Sequence, residues 1–301
     1  QPLLNPRKVV DHIQRVLAEG RHSQLLHGQY TSILQLLLTT SSWQVALADA
    51  AYNGLIELVC RLLRTSKGDA DVVGLSNALH HLVATGFYQD DVHLETVLKT
   101  LAASFVELRE MGAVALVVLQ LATLVDVGRR LAGRRRRLLC ATGEPIARSL
   151  LDLFSWNSLQ IKELALEFLA LQLSLHGRGA EDDVDDEVDV WQSLVRDWHH
   201  LLMKELQKRA SAFPGLSQQQ ARVRRAQVWL AAETLEQMEP AGGALATAVS
   251  TLQSSGPNRD AQPWLEVLAC YLWKHPGTAG RASAVLRKLL DVLTQCHSSC
   301  K

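Results

Sequence analysis

Apolar residues recur at steps of three and four positions along almost the whole chain, and this period constrains the fold more than any other feature. The first stripe runs through Val9, Ile13, Val16 and Leu17, and Pro6 suits a helix start just before it. Composition points the same way, because 54 leucines stand against only 5 phenylalanines, 4 tyrosines and 8 prolines. Leucine favours helices, whereas strands favour aromatic and β-branched residues. The sequence therefore predicts an all-α protein.

The period predicts roughly thirteen helices separated by short polar breaks. After the first, they lie near residues 30–38, from Ser41 through Leu63, and over 72–85, 91–109, 112–131, 144–155, 158–176, 188–211, 217–238, 243–254, 261–274 and 279–296. Short links make neighbouring helices antiparallel. Helix pairs recur about every 40 residues, which is HEAT or armadillo spacing. We expect an α-solenoid of stacked helical hairpins, with a first part over 1–180, an acidic loop over 181–189 and a continuous second part over 190–301.

Two charged runs interrupt this pattern at predicted helix ends. Six arginines fall within nine positions, namely Arg129, Arg130, Arg134, Arg135, Arg136 and Arg137. Seven acidic residues fall within the nine positions 181–189. Basic residues favour the carboxyl end of a helix and acidic residues its amino end, which is one interpretation of both runs. The alternatives are a binding surface for a partner, or pairing of the two runs with each other.

No motif for catalysis or cofactor binding occurs in the chain. A Walker-type phosphate loop, a G-x-S-x-G elbow, an HEXXH motif and the protein-kinase motifs are all missing. We therefore predict no enzyme activity, no cofactor and no metal site for this segment. Cys296, His297 and Cys300 form C-H-x-x-C, but zinc needs four ligands and no second pair is near.

Several other features favour ordinary packing. Five widely spaced cysteines are typical of a reducing compartment. The apolar run 112–127 is interrupted by polar residues and falls short of a membrane span, so we expect a buried helix. Trp191 and Trp198 are seven apart and should share one buried face. In the pairs His80–His81 and His199–His200, one ring should face the core and the other solvent, since adjacent helical residues diverge by about 100°.

Five segments carry a resemblance to a known family. They are VVDHIQRVL (9–17), SSWQVALADAAYNGLIELVCRLLR (41–64), SLQIKELALEFLALQLSLHGRG (158–179), VWQSLVRDWHHLLMKEL (190–206) and QPWLEVLACYLWKHPG (262–277). In order and spacing, over about residues 9–277, the chain resembles the amino-terminal helical region of the ATM family of phosphatidylinositol-3-kinase-related protein kinases. The family's L-x-x-x-K-x-x-[ED]-R-x-x-x-L element is not found here, and no family binding residue maps onto a position.

The resemblance implies a nuclear, non-catalytic scaffold of a serine/threonine protein kinase acting in DNA damage, DNA repair, the cell cycle and telomere maintenance. Its implied partners are the nibrin subunit of the double-strand-break sensor complex, DNA, and the rest of a longer kinase chain, with no membrane. The arginine run is the candidate contact for a partner or for DNA. An unrelated armadillo or HEAT adaptor or transport receptor is the alternative, although tryptophan–asparagine pairs occur only once, at Trp156-Asn157.

Overall fold

The fold is helical throughout the part of the chain that the computed structural model describes. That part comprises residues 6–19, 29–30, 32–34, 36, 53–65, 69–84, 91–111, 114–156, 158–176, 185–209, 217–238, 250 and 261–274. These ranges contain ten helices with defined bounds and no strand: α1 Pro6–Glu19, α2 Asn53–Thr65, α3 Asp69–Ala84, α4 Asp91–Met111, α5 Val114–Leu131, α6 Arg136–Leu153, α7 Leu159–His176, α8 Asp185–Arg209, α9 Gln218–Met238 and α10 Ala261–Lys274. The predicted all-α class is confirmed.

Most helix ends lie within about three residues of their predicted positions. Helix α1 begins at Pro6, as expected for a proline in the first helical turn. Helix α8 begins at Asp185, inside the acidic run, because negative charge is favourable in a first turn. The predicted helix 243–254 apart from residue 250, the helix 279–296 and residues 41–52 lie outside the described residues, so the count of thirteen stays a prediction.

The predicted start of α6 near residue 144 is wrong. The helix begins at Arg136, and Pro145 lies inside it. A proline removes one backbone N–H and crowds the carbonyl group four residues earlier, here that of Ala141. Both Pro145 and Ala141 are exposed, so water can satisfy that carbonyl oxygen. The helix therefore continues through a residue that usually marks a helix start.

Residues 1–149 form one compact unit. Within it α2 packs against α1, α3 and α4, and α5 packs against α3 and α4. The polar residues that interrupt the apolar run of α5 make contacts at this packing. The Oγ of Ser104 donates to the side-chain carbonyl oxygen of Gln120 at 3.1 Å, and Gln120 Nε2 donates to Ser76 Oγ at 3.2 Å. Gln120 is buried, which confirms the expected buried helix.

Residues 150–301 form the second compact unit. Here α9 packs against α7, α8 and α10, and α8 also packs against α10. Trp191 and Trp198 are 5% and 0% exposed, so their predicted role in the core is confirmed. The ring of Trp198 meets Phe154 edge to face, with centroids 5.5 Å apart. Aromatic pairs of this geometry contribute about 0.5–1.5 kcal/mol beyond the burial of their area. No helix in the described ranges is both long and apolar enough to span a bilayer.

Candidate interaction surface

The arginine cluster, defined as the six arginines of residues 129–137, lies where α5 ends and α6 begins. Arg129 and Arg130 occupy the last turn of α5, which confirms the predicted helix end there. The chain then turns sharply, and the backbone N–H groups of Arg134 and Arg135 both donate to the carbonyl oxygen of Leu131 at 2.9 Å. These bonds satisfy an acceptor that the end of a helix leaves unpaired. The turn brings arginines from two helices and their connection into one short stretch.

Three guanidinium groups of the cluster form ion pairs with carboxylates from α4 and α5. The pairs are Arg134 with Asp91 at 3.2 Å, Arg135 with Glu95 at 2.8 Å, and Arg130 with Asp126 at 3.2 Å. Sequence reasoning missed the two partners on α4. Their spacing of four places both on one face at the start of a helix that packs on α5, which is the signal that was available.

The predicted pairing of the arginine cluster with the acidic loop 181–189 stays a prediction. Residues 181–184 lie outside the described residues. Among the described residues, three carboxylates lie within ion-pair distance of Arg130, Arg134 and Arg135. Two of them, Asp91 and Glu95, come from α4 and not from the acidic run.

The ion pairs of Arg134 and Arg135 are weakly held because their guanidinium groups are exposed. The side chain of Arg134 is 73% exposed, and that of Arg135 is also exposed. Pairs of this kind contribute about 0–1 kcal/mol each, since water screens them and two long side chains must be held in place. A guanidinium group can therefore exchange a carboxylate of this chain for one of a partner at little cost.

The helix dipole explains only part of the cluster. Arg129 and Arg130 complement the carboxyl end of α5. Arg136 and Arg137, however, stand in the first turn of α6, where no acidic residue is present and where positive charge is unfavourable. Favourable interaction with helix dipoles therefore accounts for Arg129 and Arg130 but not for Arg136 and Arg137.

His80 contacts α5 at Thr123, six residues before the cluster begins. Its Nδ1 lies 2.9 Å from Thr123 Oγ1. Burial and the neighbouring His81 lower the pKa of His80, and Asp126 opposes this shift. The expected division into one core-facing and one solvent-facing ring is wrong for His80–His81, since both are half-buried. It is confirmed for the second pair, because His199 is buried and His200 is exposed.

Groups that could hold a metal or act as nucleophiles are sparse in the described ranges. No set of three or more histidine, cysteine or acidic side chains is grouped as metal ligands there. Cys296, His297 and Cys300 lie outside those ranges. Burial raises the pKa of the Cys60 thiol to about 11, against weaker lowering by a hydrogen bond with Thr100. Burial also raises the pKa of Cys270. Neither thiol is activated for nucleophilic attack.

No protein-family model matches this chain, and a search of curated proteins also gives no match. The resemblance to the ATM family stays a prediction that rests on the quoted segments.

Proposed function

We propose that this chain is a non-catalytic α-solenoid scaffold of an ATM-like DNA-damage-response kinase. In this proposal it acts in the nucleus and docks a nibrin-type subunit of the double-strand-break sensor complex through the arginine cluster. Contacts between helices support the repeating architecture, and the arginines of residues 129–137 support the docking surface.

The observation that carries the proposal is a recurring separation between polar partners on different helices. In both compact units, partners stand 41 to 46 positions apart: Ser76–Gln120, His80–Thr123, Asp91–Arg134, Lys162–Glu205, Trp191–Gln237, Arg224–Glu266 and Glu233–Lys274. Other separations also occur, such as 35 for His199–Thr234. A HEAT or armadillo repeat is about 40–47 residues long. The pairs between α3 and α5 and between α9 and α10 join helices that run in the same direction about one such length apart, which supports the proposal. The other three pairs join opposite ends of consecutive helices, where helix length sets the separation.

The order of helix packing supports the same architecture. In a stack of helical hairpins, a helix contacts the next helix and the one after it, and nothing farther along the chain. The first unit follows this order through α2–α3, α2–α4, α3–α5 and α4–α5. In the second unit α7–α9 and α8–α9 follow it. Helix α10 also packs on α8 and α9, from which it is separated in sequence by residues 239–260, where a further helix is predicted. These contacts support the proposed stack of hairpins.

The charge of the arginine cluster supports the docking part. An acidic partner peptide would place its carboxylates on the guanidinium groups and displace Asp91 and Glu95 from Arg134 and Arg135. Guanidinium groups bind carboxylates through two parallel hydrogen bonds, which gives orientation as well as affinity. An aromatic side chain of the peptide would insert beside the helices and anchor it.

Fluorescence anisotropy of a labelled nibrin carboxy-terminal peptide at physiological salt tests the proposal. Saturable binding to the 301-residue chain supports it. Absence of binding, by a chain shown to be folded and helical by circular dichroism, contradicts it and leaves the alternative of an unrelated HEAT or armadillo adaptor or transport receptor.

DNA is a second candidate ligand, favoured by the six arginines that fall within residues 129–137. A titration with a labelled duplex over a salt series separates it from peptide docking. Duplex binding predicts that the logarithm of the binding constant falls with a slope of about −0.9 per phosphate neutralised. Docking of a peptide with a buried aromatic anchor predicts a much shallower dependence on salt.

A further inference from the structure

A second surface lies in the other compact unit, away from the arginine cluster in sequence. Trp273 of α10 is 80% exposed and Trp229 of α9 is 39% exposed, whereas Trp191 and Trp198 are buried. An indole exposed to this degree leaves a large apolar area in water, and tryptophan is enriched where proteins bind partners. The two exposed rings belong to helices that pack against each other.

Two exposed arginines continue this surface along α9. Arg222 and Arg225 are exposed, and steps of three and four residues place Arg222, Arg225 and Trp229 on one side of the helix. We call these three residues together with Trp273 the tryptophan–arginine patch. The arginines lie toward the amino end of α9, and Trp229 lies one turn beyond them. The patch therefore has a basic end and an aromatic end.

Contacts between α9 and α10 fix the relative direction of the two helices. Arg224 Nη2 lies 2.9 Å from Glu266 Oε1, near the amino end of both helices. Lys274 Nζ pairs with Glu233 and lies 3.5 Å from Glu236 Oε2, near the carboxyl end of both. The two helices thus run parallel, and Trp273, next to Lys274 at the end of α10, stands beside the second half of α9, which begins near Trp229.

Lys274 also holds the aromatic end in place. Its Nζ lies 5.3 Å from the centroid of the Trp229 ring, within the range of a cation–π contact. Glu233 and Glu236 hold this ammonium group from the same helix as the ring. The indole of Trp229 is therefore oriented before any ligand arrives, which lowers the conformational entropy that binding would cost.

We propose that the tryptophan–arginine patch binds an acidic peptide segment of a partner protein that carries a large apolar side chain next to its carboxylates. The carboxylates contact Arg222 and Arg225, and the apolar side chain packs on Trp229 and Trp273. The patch shares no residue with the arginine cluster, and this proposal does not depend on the proposed function.

The placement of charge favours a peptide over single-stranded nucleic acid. A nucleic acid carries a phosphate at every nucleotide, so a strand stacked on the tryptophans would bring phosphates beside the carboxylates of Glu233 and Glu236. A peptide can keep its negative charges at one end and its apolar side chain at the other. The segregation of arginines and tryptophans in the patch matches the peptide.

Fluorine NMR of the full chain labelled with 5-fluorotryptophan tests the proposal. The probe is a twelve-residue peptide with six aspartate and glutamate residues followed by a half that contains two phenylalanines and a leucine. We expect the resonances of Trp229 and Trp273, assigned with Trp229→Phe and Trp273→Phe, to shift on titration while those of Trp191 and Trp198 stay in place. Trp273→Ala should weaken binding about thirtyfold, the size typical of a buried tryptophan anchor.

Charge-reversal variants show whether the peptide binds at the tryptophan–arginine patch or elsewhere on the chain. Arg225→Glu should weaken binding at least tenfold, whereas Arg196→Glu, a matched change at an exposed arginine of α8, should leave it unchanged. Arg134→Glu with Arg136→Glu should also leave it unchanged, so failure of the proposed function is distinguishable. No shift at Trp229 and Trp273 with this peptide overturns the proposal. A larger shift with a twelve-nucleotide oligothymidylate than with the peptide overturns it in favour of nucleic acid.

Discussion

The ammonium nitrogen of Lys162 on α7 lies 2.9 Å from Oε2 of Glu205 on α8, and both side chains are more than nine-tenths buried. Lys208 donates to the other carboxylate oxygen at 2.8 Å, and Lys162 lies 5.5 Å from the ring centroid of Phe154. This buried pair fixes how two helices of the second unit meet. A buried charge that loses its partner costs far more than the intact pair contributes.

Removing one partner of this pair should destabilise the chain strongly. Lys162→Met should lower the free energy of unfolding by about 3 kcal/mol, near the low end for such pairs because Lys208 still contacts Glu205. The double variant Lys162→Met with Glu205→Leu removes both charges and should be more stable than Lys162→Met alone. Urea denaturation followed by circular dichroism measures both. A double variant less stable than the single one would contradict a paired buried charge.

The same pair predicts a loss of stability in acid. Burial raises the pKa of Glu205, but hydrogen bonds and charge from Lys208 and Lys162 outweigh it, so its pKa lies below the ordinary 4.5. A carboxyl group with a depressed native pKa stabilises the fold above pH 4.5 and loses this contribution as the pH falls through the native pKa. Glu205→Gln should therefore show a smaller loss of unfolding free energy below pH 4.5 than the unchanged chain. Equal losses would remove Glu205 as the cause.

His80 predicts a second pH dependence, at a higher pH. Burial and His81 lower the pKa of His80 in the folded chain. Below pH 6.5 the imidazole of His80 is therefore protonated more readily in the unfolded chain than in the folded chain. Stability should decrease as the pH falls from 7 to 5, and His80→Gln should reduce this decrease. His200→Gln, at an exposed ring on α8, is the control and should change nothing. Thermal melts at several pH values measure the effect, and identical curves for His80→Gln and the unchanged chain would contradict it.

Two buried glutamines should respond in opposite ways to the same substitution. In the part of the chain that is described, neither side-chain polar atom of Gln227 has a hydrogen-bond partner, whereas Gln120 is bonded to Ser76 and Ser104. Gln227→Met should raise the free energy of unfolding by about 1 kcal/mol, because it removes an unsatisfied buried amide. Gln120→Met should lower it by about 1–2 kcal/mol, because it leaves a buried serine hydroxyl without its partner. Destabilisation at both positions would mean that Gln227 is satisfied after all.

Thiol labelling should discriminate the cysteines. The pKa of Cys60 is about 11 instead of 9.0, so its thiolate fraction near neutral pH is about a hundredfold lower than that of an ordinary thiol. Cys60 is also fully buried, whereas Cys140 is half-buried. Iodoacetamide labelling followed by peptide mass spectrometry should modify Cys140 first and Cys60 only when the chain unfolds. Equal rates in the folded chain would contradict the burial of Cys60.

The helices could be predicted from the sequence because their apolar period is local. The stripe after Pro6 and the end of α5 at Leu131 depend only on residues within one helix. The start of α6 could not be predicted in this way. Pro145 is tolerated inside the helix because Ala141 faces solvent, and the exposure of a residue depends on how the whole chain packs. Local pattern and burial therefore give different information at such a position.

The candidate surfaces could be predicted only in part. The arginine cluster is visible as a run of one residue type, but its partners Asp91 and Glu95 precede it by about 40 positions and meet it through packing of α4 on α5. Trp229 and Trp273 could not be told from the buried Trp191 and Trp198, because all four lie in amphipathic helices. Which tryptophan faces solvent depends on the neighbouring helices.

The central claim, docking of a partner through the arginine cluster, is tested most directly by charge reversal. Arg134→Glu with Arg136→Glu should weaken binding of the nibrin carboxy-terminal peptide in the anisotropy assay at least tenfold while the helical circular dichroism and the melting temperature stay close to those of the unchanged chain. Arg61→Glu with Arg64→Glu, at exposed positions of α2 in the same unit, is the matched control and should bind normally. Unchanged affinity in a folded Arg134→Glu, Arg136→Glu chain would contradict the claim.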